Sequence, residues 1–344
     1  MTVPPPAASS TSQSDAASVE VPQLPVVQTQ DGSVSFFSTE FGETFHSQYG
    51  AWQEALGKFV QPVRLVERAA RSPAITLLDV CYGLGYNSAL ALAMVWSAVP
   101  NCEVTLLALD CDRTPAEAAL PQLSTLLRDR IVDPVAAERA IAAITALPAQ
   151  AIALPADYQD AKALHLDWVA APGLRSRLIL ADARRSLPWA LHQGFYADTI
   201  FHDPFSPTRC PQLWTVEFWR MLAAALAAEG WIATYSCAAA VRAAAIAAGL
   251  SIGDSAPVGR RSPGTLARHR PADLPPLSLA AQEQLHTRAA VPYRDPTGRD
   301  AVALIVARRQ QEQATATHLE STSAWKRRWR SYPATGIAII DESL

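Results

Sequence analysis

Four short apolar runs, each meeting an aspartate, constrain this chain more than any other feature. Residues 75–80 read ITLLDV and hold Asp79, and residues 104–110 read VTLLALD and end on Asp110. Residues 177–180 (RLIL) lead to Asp182, and residues 197–202 (ADTIFH) run straight into Asp203. Uninterrupted apolar runs of this length mark strands buried on both faces, as in a parallel sheet covered by helices. Between the first two runs lie the turn CYGLGYN, with Gly83 and Gly85, and an Ala/Leu-rich helix over residues 88–99. Strand, glycine turn, helix and strand make one βαβ unit, so a doubly wound α/β fold is expected.

The other segments fit around that sheet. Residues 32–38 read as a short strand, half of a hairpin with the residues before it. From Ala51 the positions Trp52, Ala55, Leu56 and Phe59 follow helical spacing, so a helix carries Glu54 and Lys58, with more helix over 63–70. Ala/Leu-rich stretches punctuated by proline predict two or three helices at about 112–156, a helical insertion between strands. Residues 165–170 read as strand or loop, and a helix is expected near 187–192. A helix over 215–228 ended by Gly230, a fifth strand over 231–236 and a helix over 238–248 ended by Gly249 follow. The apolar run AVALIVA predicts a late strand over 301–307. Residues 1–30, rich in Pro, Ser, Ala and Gln and without periodicity, read as a disordered leader. The folded domain is then 31–310, and 311–344 a basic, aromatic tail.

With 344 residues, 49% of them hydrophobic, the chain can bury a sizeable core. A formal charge of −3 gives no global attraction to nucleic acid or to an anionic membrane, so a polyanionic partner must meet a local basic patch. Five scattered cysteines without CxxC spacing point to a reducing, cytoplasmic compartment. They argue against a disulfide framework and against a metal site. No apolar stretch reaches the ~18 residues a membrane span needs.

Open parallel sheets bind ligands beyond the carboxyl ends of their strands. Buried strands gain nothing from unpaired carboxylates there, so the acidic rim reads as a site. Gly83 and Gly85 permit a tight turn and close approach of backbone to a ligand. Asp110 is placed to accept the hydroxyls of a ribose, and Asp182 the amino group of an adenine; either alone also suits a helix N-cap. Asp203 opens the sequence Asp203-Pro204-Phe205-Ser206-Pro207, whose prolines restrict the backbone and aim a carboxylate and a carbonyl at an incoming nucleophile.

These stretches resemble the methyltransferase domain of the MnmC family. The resemblance runs through residues 36–54 (FFSTEFGETFHSQYGAWQE), 78–88 (LDVCYGLGYNS), 201–215 (FHDPFSPTRCPQLWT), 231–241 and 242–265, the last closing with GRRSPGT. It implies a Rossmann-like, S-adenosylmethionine-dependent fold. The implied activity is methylation of the aminomethyl group on the wobble uridine of transfer RNA. Cofactor contacts are then expected at Glu54, Asp79, Gly83, Gly85, Asp110 and Asp182, with Asp203 as the catalytic acid or base. Two departures stand out. The family's Asp-Gly-Phe-Ala-Pro is Asp-Pro-Phe-Ser-Pro here, and nothing after residue 270 is long enough for the flavin-dependent oxidase domain of the bifunctional members.

An RNA substrate calls for positive charge. Candidates are Arg260, Arg261, Arg268, His269 and Arg270, and in the tail Lys326, Arg327, Arg328 and Arg330, where Trp325 and Trp329 are spaced to stack on a base; such charge runs are also commonly solvated faces. Tyr49, Phe205 and Trp214 are candidates for the pocket around an extruded uridine, or core aromatics. His46 and His202 read as satisfied core histidines. Three alternatives remain open: an aminopropyltransferase of the spermidine synthase kind, a nicotinamide oxidoreductase, and a catalytically silent RNA-binding protein of the same fold.

Overall fold

A computed structural model describes residues 24–157, 163–259 and 262–330. The described chain opens with a small antiparallel sheet: β1 (Val26–Gln28), β2 (Val34–Ser38) and β3 (Glu43–Thr44), in the order β1-β2-β3. The end of the expected leader therefore pairs as a strand. The rest of that leader lies outside the described residues. Next come α1 (Ala51–Glu54), a π-helical stretch (Ala55–Val60) and α2 (Leu65–Ala69).

The main sheet begins at β4 (Ala74–Val80), followed by α3 (Tyr86–Ala98) and β5 (Glu103–Asp110). Then come α4 (Thr114–Arg130), α5 (Pro134–Ala149), β6 (Ile152–Ala153), β7 (Val169–Ala171) and β8 (Leu174–Leu180). The chain continues through α6 (Ala183–His192), β9 (Ala197–His202), α7 (Val216–Ala225), β10 (Leu226–Thr234), α8 (Ala239–Ala247), β11 (Ser251–Asp254) and β12 (Thr265–Arg268). It ends with α9 (Leu279–Gln284), α10 (Val302–Thr315) and α11 (Thr322–Arg330).

Strand order in the large sheet is β11-β12-β10-β9-β4-β5-β8-β6, with β7 pairing on β8. The five central strands are parallel, and β12 and β11 close one side antiparallel. From β4 the chain winds one way to β5 and β8, then the other way to β9 and β10. The switch point thus lies between β4 and β9, where a crevice opens. The apolar runs behave as their composition demands: Leu77, Leu78, Val80, Leu107, Leu109 and Ile200 are fully buried. Among the described residues no helix is long and apolar enough to cross a membrane.

Two expectations fail. The AVALIVA run is not a strand but opens α10, in which only Ile305 is buried. Its anchors sit at helical spacing from Ile305: Arg308 donates to the Arg294 carbonyl (2.6 Å) and Arg309 to the Val291 carbonyl (2.7 Å). Gly230 does not end a helix. It lies inside β10, where the register with β9 shifts between Leu226 and Trp231. The pairing of Leu226 with Ala197 overrides the helical propensity of an alanine-rich stretch.

The tail aromatics are not free platforms for a base. Trp325 and Trp329 are 2% and 6% exposed, with ring centroids 6.3 Å apart. The Trp329 indole donates to Glu283 of α9 (2.9 Å), and Arg328 pairs with Glu283 and Glu320. Residues 322–330 form a docked helix, and those beyond lie outside the described residues. Trp325→Ala should lower the free energy of unfolding by about 3 kcal/mol, read by urea denaturation; an unchanged midpoint would show that the docking carries no stability.

Candidate active site

The glycine turn is built by backbone that only a few residues tolerate. Gly83 (φ 54°) and Gly85 (φ 82°) are left-handed, and so is Cys81 (φ 66°), a costly conformation for a side chain with a Cβ. A Cβ on Gly85 would come within 2.6 Å of the Tyr82 hydroxyl. The turn is tied to β5 by Asp110, whose carboxylate accepts from the Gly83 N–H (2.8 Å), the Cys111 N–H (2.7 Å) and the Asp112 N–H (3.2 Å). Asp79 lies beneath it, fully buried, accepting from the Ser88 hydroxyl (2.6 Å). Burial pushes Asp79 up to about 8, so it is mostly protonated at neutral pH.

Asp203 follows the last residue of β9, and its N–H donates to the Val80 carbonyl (3.1 Å), which fixes it where β4 and β9 part. Its Oδ2 accepts from the Asn87 side-chain amide (2.9 Å) at the start of α3. The loop behind it is held at three successive residues. Tyr235 donates to the Pro204 carbonyl (3.0 Å), the Trp214 indole to the Phe205 carbonyl (2.9 Å), and the Ser206 N–H to Glu43 (3.1 Å). Phe205 stacks on Phe41 (centroids 4.3 Å apart, 16° between planes) and tilts against Phe45 at 5.0 Å.

These groups surround a cavity of about 1320 Å³ at the switch point. Seven carboxylates line it (Glu40, Glu43, Glu54, Asp110, Asp112, Asp182, Asp203), against one lysine, Lys58. Glu54 and Lys58 come from the junction of α1 with the π-helical stretch, whose i to i+5 bonding (Gln61 N–H to Leu56 carbonyl, 2.9 Å) is a frequent feature of functional sites. Lys58 is only 3% exposed. Desolvation raises the Asp203 carboxyl to about 7; the Asn87 hydrogen bond and Lys58 pull it down, and Glu54 pushes it up. Asp110 is raised too, by burial against its backbone hydrogen bonds.

Of the residues singled out in the sequence, Glu54, Gly83, Asp110, Asp182, Asp203, Phe205 and Tyr49 line this cavity. Asp182 does double duty. It caps α6 through the Arg184 N–H (2.9 Å) and pairs with the Arg184 guanidinium (2.7 Å), which also holds buried Asp295. Asp79 and Gly85 stand behind the wall rather than in it, because β4 is covered at that point by α3. Trp214 is fully buried beneath the loop it braces and cannot line a substrate pocket. Arg268 is 4% exposed, with its two terminal nitrogens ion-paired to Glu229 and Asp273, so it is not the exposed cation of a solvated basic run. Arg260 and Arg261 lie outside the described residues. His202 is a core histidine, packed on Trp214, Phe218 and Trp219 and held neutral by burial, its pKa near 3. His46 is 9% exposed, borders the cavity and rests on Tyr86 and Ser35. Among the described residues no cluster of His, Cys, Asp and Glu has the geometry of a metal site. Sequence reasoning missed Asn87 and the role of Lys58. The signal for Lys58 was its i, i+4 spacing from Glu54 beside an apolar helical face; Asn87 had none beyond its place after the glycine turn.

A family model described as S-adenosyl-L-methionine-dependent methyltransferase matches residues 153–270. The crystal structure of MnmC2 from Aquifex aeolicus superposes with a TM-score of 0.68 at 27% identity, over 86% of this chain and 87% of that one. The tRNA 5-methylaminomethyl-2-thiouridine biosynthesis bifunctional protein MnmC of Acidovorax sp. is 25% identical over 66% of this chain and 32% of its own length. The corresponding Azoarcus sp. protein is 30% identical over 60% and 29%. An uncharacterised Methanocaldococcus jannaschii protein, MJ0670, is 27% identical over 79% of this chain and 67% of its own. The chain is an MnmC-like, S-adenosylmethionine-dependent methyltransferase. It spans about a third of the length of the MnmC relatives it matches.

The residues of the methyltransferase fit that cofactor. A Cβ placed on left-handed Gly83 would meet the Phe45 ring at 3.4 Å and the Cys81 carbonyl at 3.8 Å, so a bare glycine keeps the turn open to a close ligand. A carboxylate-rich wall suits the positive charge of a sulfonium.

Two outcomes follow from the charges around Asp203. Lys58→Met should move its titration to higher pH and Glu54→Gln to lower pH, read by carboxyl carbon NMR of the folded enzyme; shifts of the same sign would refute the arrangement. Asp203 binds its proton more tightly folded than unfolded, so stability is lost as pH rises from about 4 to about 7. Asp203→Asn should therefore stabilise the enzyme by on the order of 2 kcal/mol at pH 8 and hardly at all at pH 4, measured by urea denaturation at both.

Proposed function

We propose that this methyltransferase methylates a primary amine, the aminomethyl group on the wobble uridine of transfer RNA, giving the methylaminomethyl form. The observation that carries the reading is Asp203, a carboxyl poised near 7 in a cavity of opposite charge to an ammonium substrate. An alkylamine is almost wholly protonated at neutral pH, and only the neutral form attacks. Bound S-adenosylmethionine supplies a methyl carbon activated by its sulfonium. Asp203 accepts the proton the ammonium must lose, directly or through water, and orients the nitrogen lone pair toward that carbon. Asn87 holds one carboxylate oxygen and leaves the other for the substrate. Asp110 grips the turn and presents its carboxylate to the cofactor side of the cavity. Phe41, Phe45 and Phe205 form the apolar wall that lets a base or sugar pack while water is excluded. Resemblance to the MnmC proteins supports the RNA substrate, and action within a cytoplasmic RNA-modification route agrees with it.

The acid-rich lining also favours a second reading, transfer to a free diamine, as an aminopropyltransferase would perform. Incubation of aminomethyl-bearing transfer RNA with labelled S-adenosylmethionine, and of putrescine with decarboxylated S-adenosylmethionine as aminopropyl donor, separates the two: methylated nucleoside on mass spectrometry supports the first, a polyamine product the second. Asp203→Asn should lower turnover by about 10²–10⁴-fold with cofactor affinity nearly unchanged, whereas Asp110→Ala should chiefly weaken cofactor binding by calorimetry. Equal loss of cofactor binding in both would overturn the division of roles.

A further inference from the structure

At the other end of the sheet lies a second, smaller cleft of about 180 Å³ with a different chemistry. Arg68 of α2, with Arg64 just before that helix and Arg71 just after it, lines the cleft. Arg268 of β12 lies across the cleft, its guanidinium 4.5 Å from the Trp231 ring centroid. Arg68 is fastened to the start of β9, through the Thr199 hydroxyl (2.7 Å) and the Asp198 carbonyl (2.8 Å). This is the strand end opposite Asp203.

The charges in the cleft do not close. Glu229 and Asp273 are taken by Arg268, and Glu229 by Arg270 as well. Among the described residues neither Arg64 nor Arg71 has an ion-pair partner, and Glu67 is the one remaining acid of the lining. Arg268 is 4% exposed, yet its Nε is buried with no acceptor. Its charge also opposes that of Arg68 across the cleft. A buried donor without an acceptor costs as much as a lost hydrogen bond, and facing guanidiniums repel; one oxyanion between them relieves both.

We infer that this cleft is an anion site that takes a phosphate group, with Arg268 Nε, Arg64 and Arg71 as donors. Guanidiniums arriving from separate elements match a tetrahedral group with several acceptor oxygens better than a planar carboxylate. The phosphate is either free, as the inorganic ion or a small ester, or part of an RNA backbone. The site does not depend on the methyl-transfer reading, because inorganic phosphate alone tests it.

The experiment uses the full chain and the double variant Arg64→Asn, Arg71→Gln, both surface positions outside the methyl-transfer cavity. Inorganic phosphate should raise the wild-type melting temperature saturably above a chloride control of equal ionic strength, and the double variant should lose that rise. A phosphate response equal to the chloride control, or one that persists in the variant, overturns the site. Transfer RNA affinity measured against salt then assigns the source. A log–log salt slope shallower by about two in the variant identifies a backbone phosphate, and an unchanged slope with phosphate stabilisation intact in the wild type identifies a free one.

Discussion

Where β4 and β9 part company, the backbone ladder between them ends in a single bond, Asp203 N–H to the Val80 carbonyl, and the chemistry proposed for the enzyme depends on where that bond leaves the Asp203 side chain. Parallel strands diverging at a switch point expose their carboxyl ends to a crevice. Here the crevice gains two fixed carboxylates from two different strands, one on each side of the glycine turn. Asp110 is turned onto backbone, gripping Gly83, Cys111 and Asp112. Asp203 is gripped by a single side-chain amide and keeps an oxygen for the cavity. The same residue type is therefore a structural hook in one place and, in the proposed reaction, a proton acceptor in the other, and the difference lies in how many donors each one meets.

Electrostatics follow from that geometry. Seven carboxylates around one cavity would be a heavy burden if all were ionised and dry. Several meet local donors: Glu54 accepts from the Ser47 hydroxyl, Glu43 from Ser206, and Asp182 is ion-paired to Arg184. Asp203 is instead left close to its midpoint at neutral pH, with Lys58 and Glu54 pulling in opposite directions. In the proposed reaction, a cationic amine entering beside it shifts the balance toward the carboxylate at the moment a proton acceptor is required. The cavity is thus less comfortable empty than filled by positive charge, which is the condition for binding cations selectively.

The sheet was legible in the sequence because strands covered on both faces must be apolar throughout, and few other structures demand that of residues 75–80, 104–110 and 197–202. The acidic rim was legible for the complementary reason: nothing in a buried strand requires an aspartate at its end. The illegible parts depended on partners far away in sequence. AVALIVA has strand composition, and only the docking of Arg308 and Arg309 on distant carbonyls makes it helical. Trp325 and Trp329 looked like a nucleic-acid platform until α9, some forty residues earlier, supplied Glu283 to cover them. Asn87 and Trp214 belong to the site only through Asp203 and Phe205, contacts that no local pattern encodes.

The loop after Asp203 shows what a single substitution against the resembling family does to such a site. Where that pattern has glycine this chain has Pro204, which fixes φ and removes a donor. Its carbonyl is then taken by Tyr235, the next by Trp214, and the next residue is bound by Glu43 from the small sheet. Contacts at three consecutive residues fix the course of the loop next to Asp203. The hairpin of β2 and β3 packs on the same loop, with Phe41 and Phe45 against Phe205 and Glu43 holding Ser206. Asp203 accordingly stays where β4 and β9 put it, with hairpin and loop packed together beside it.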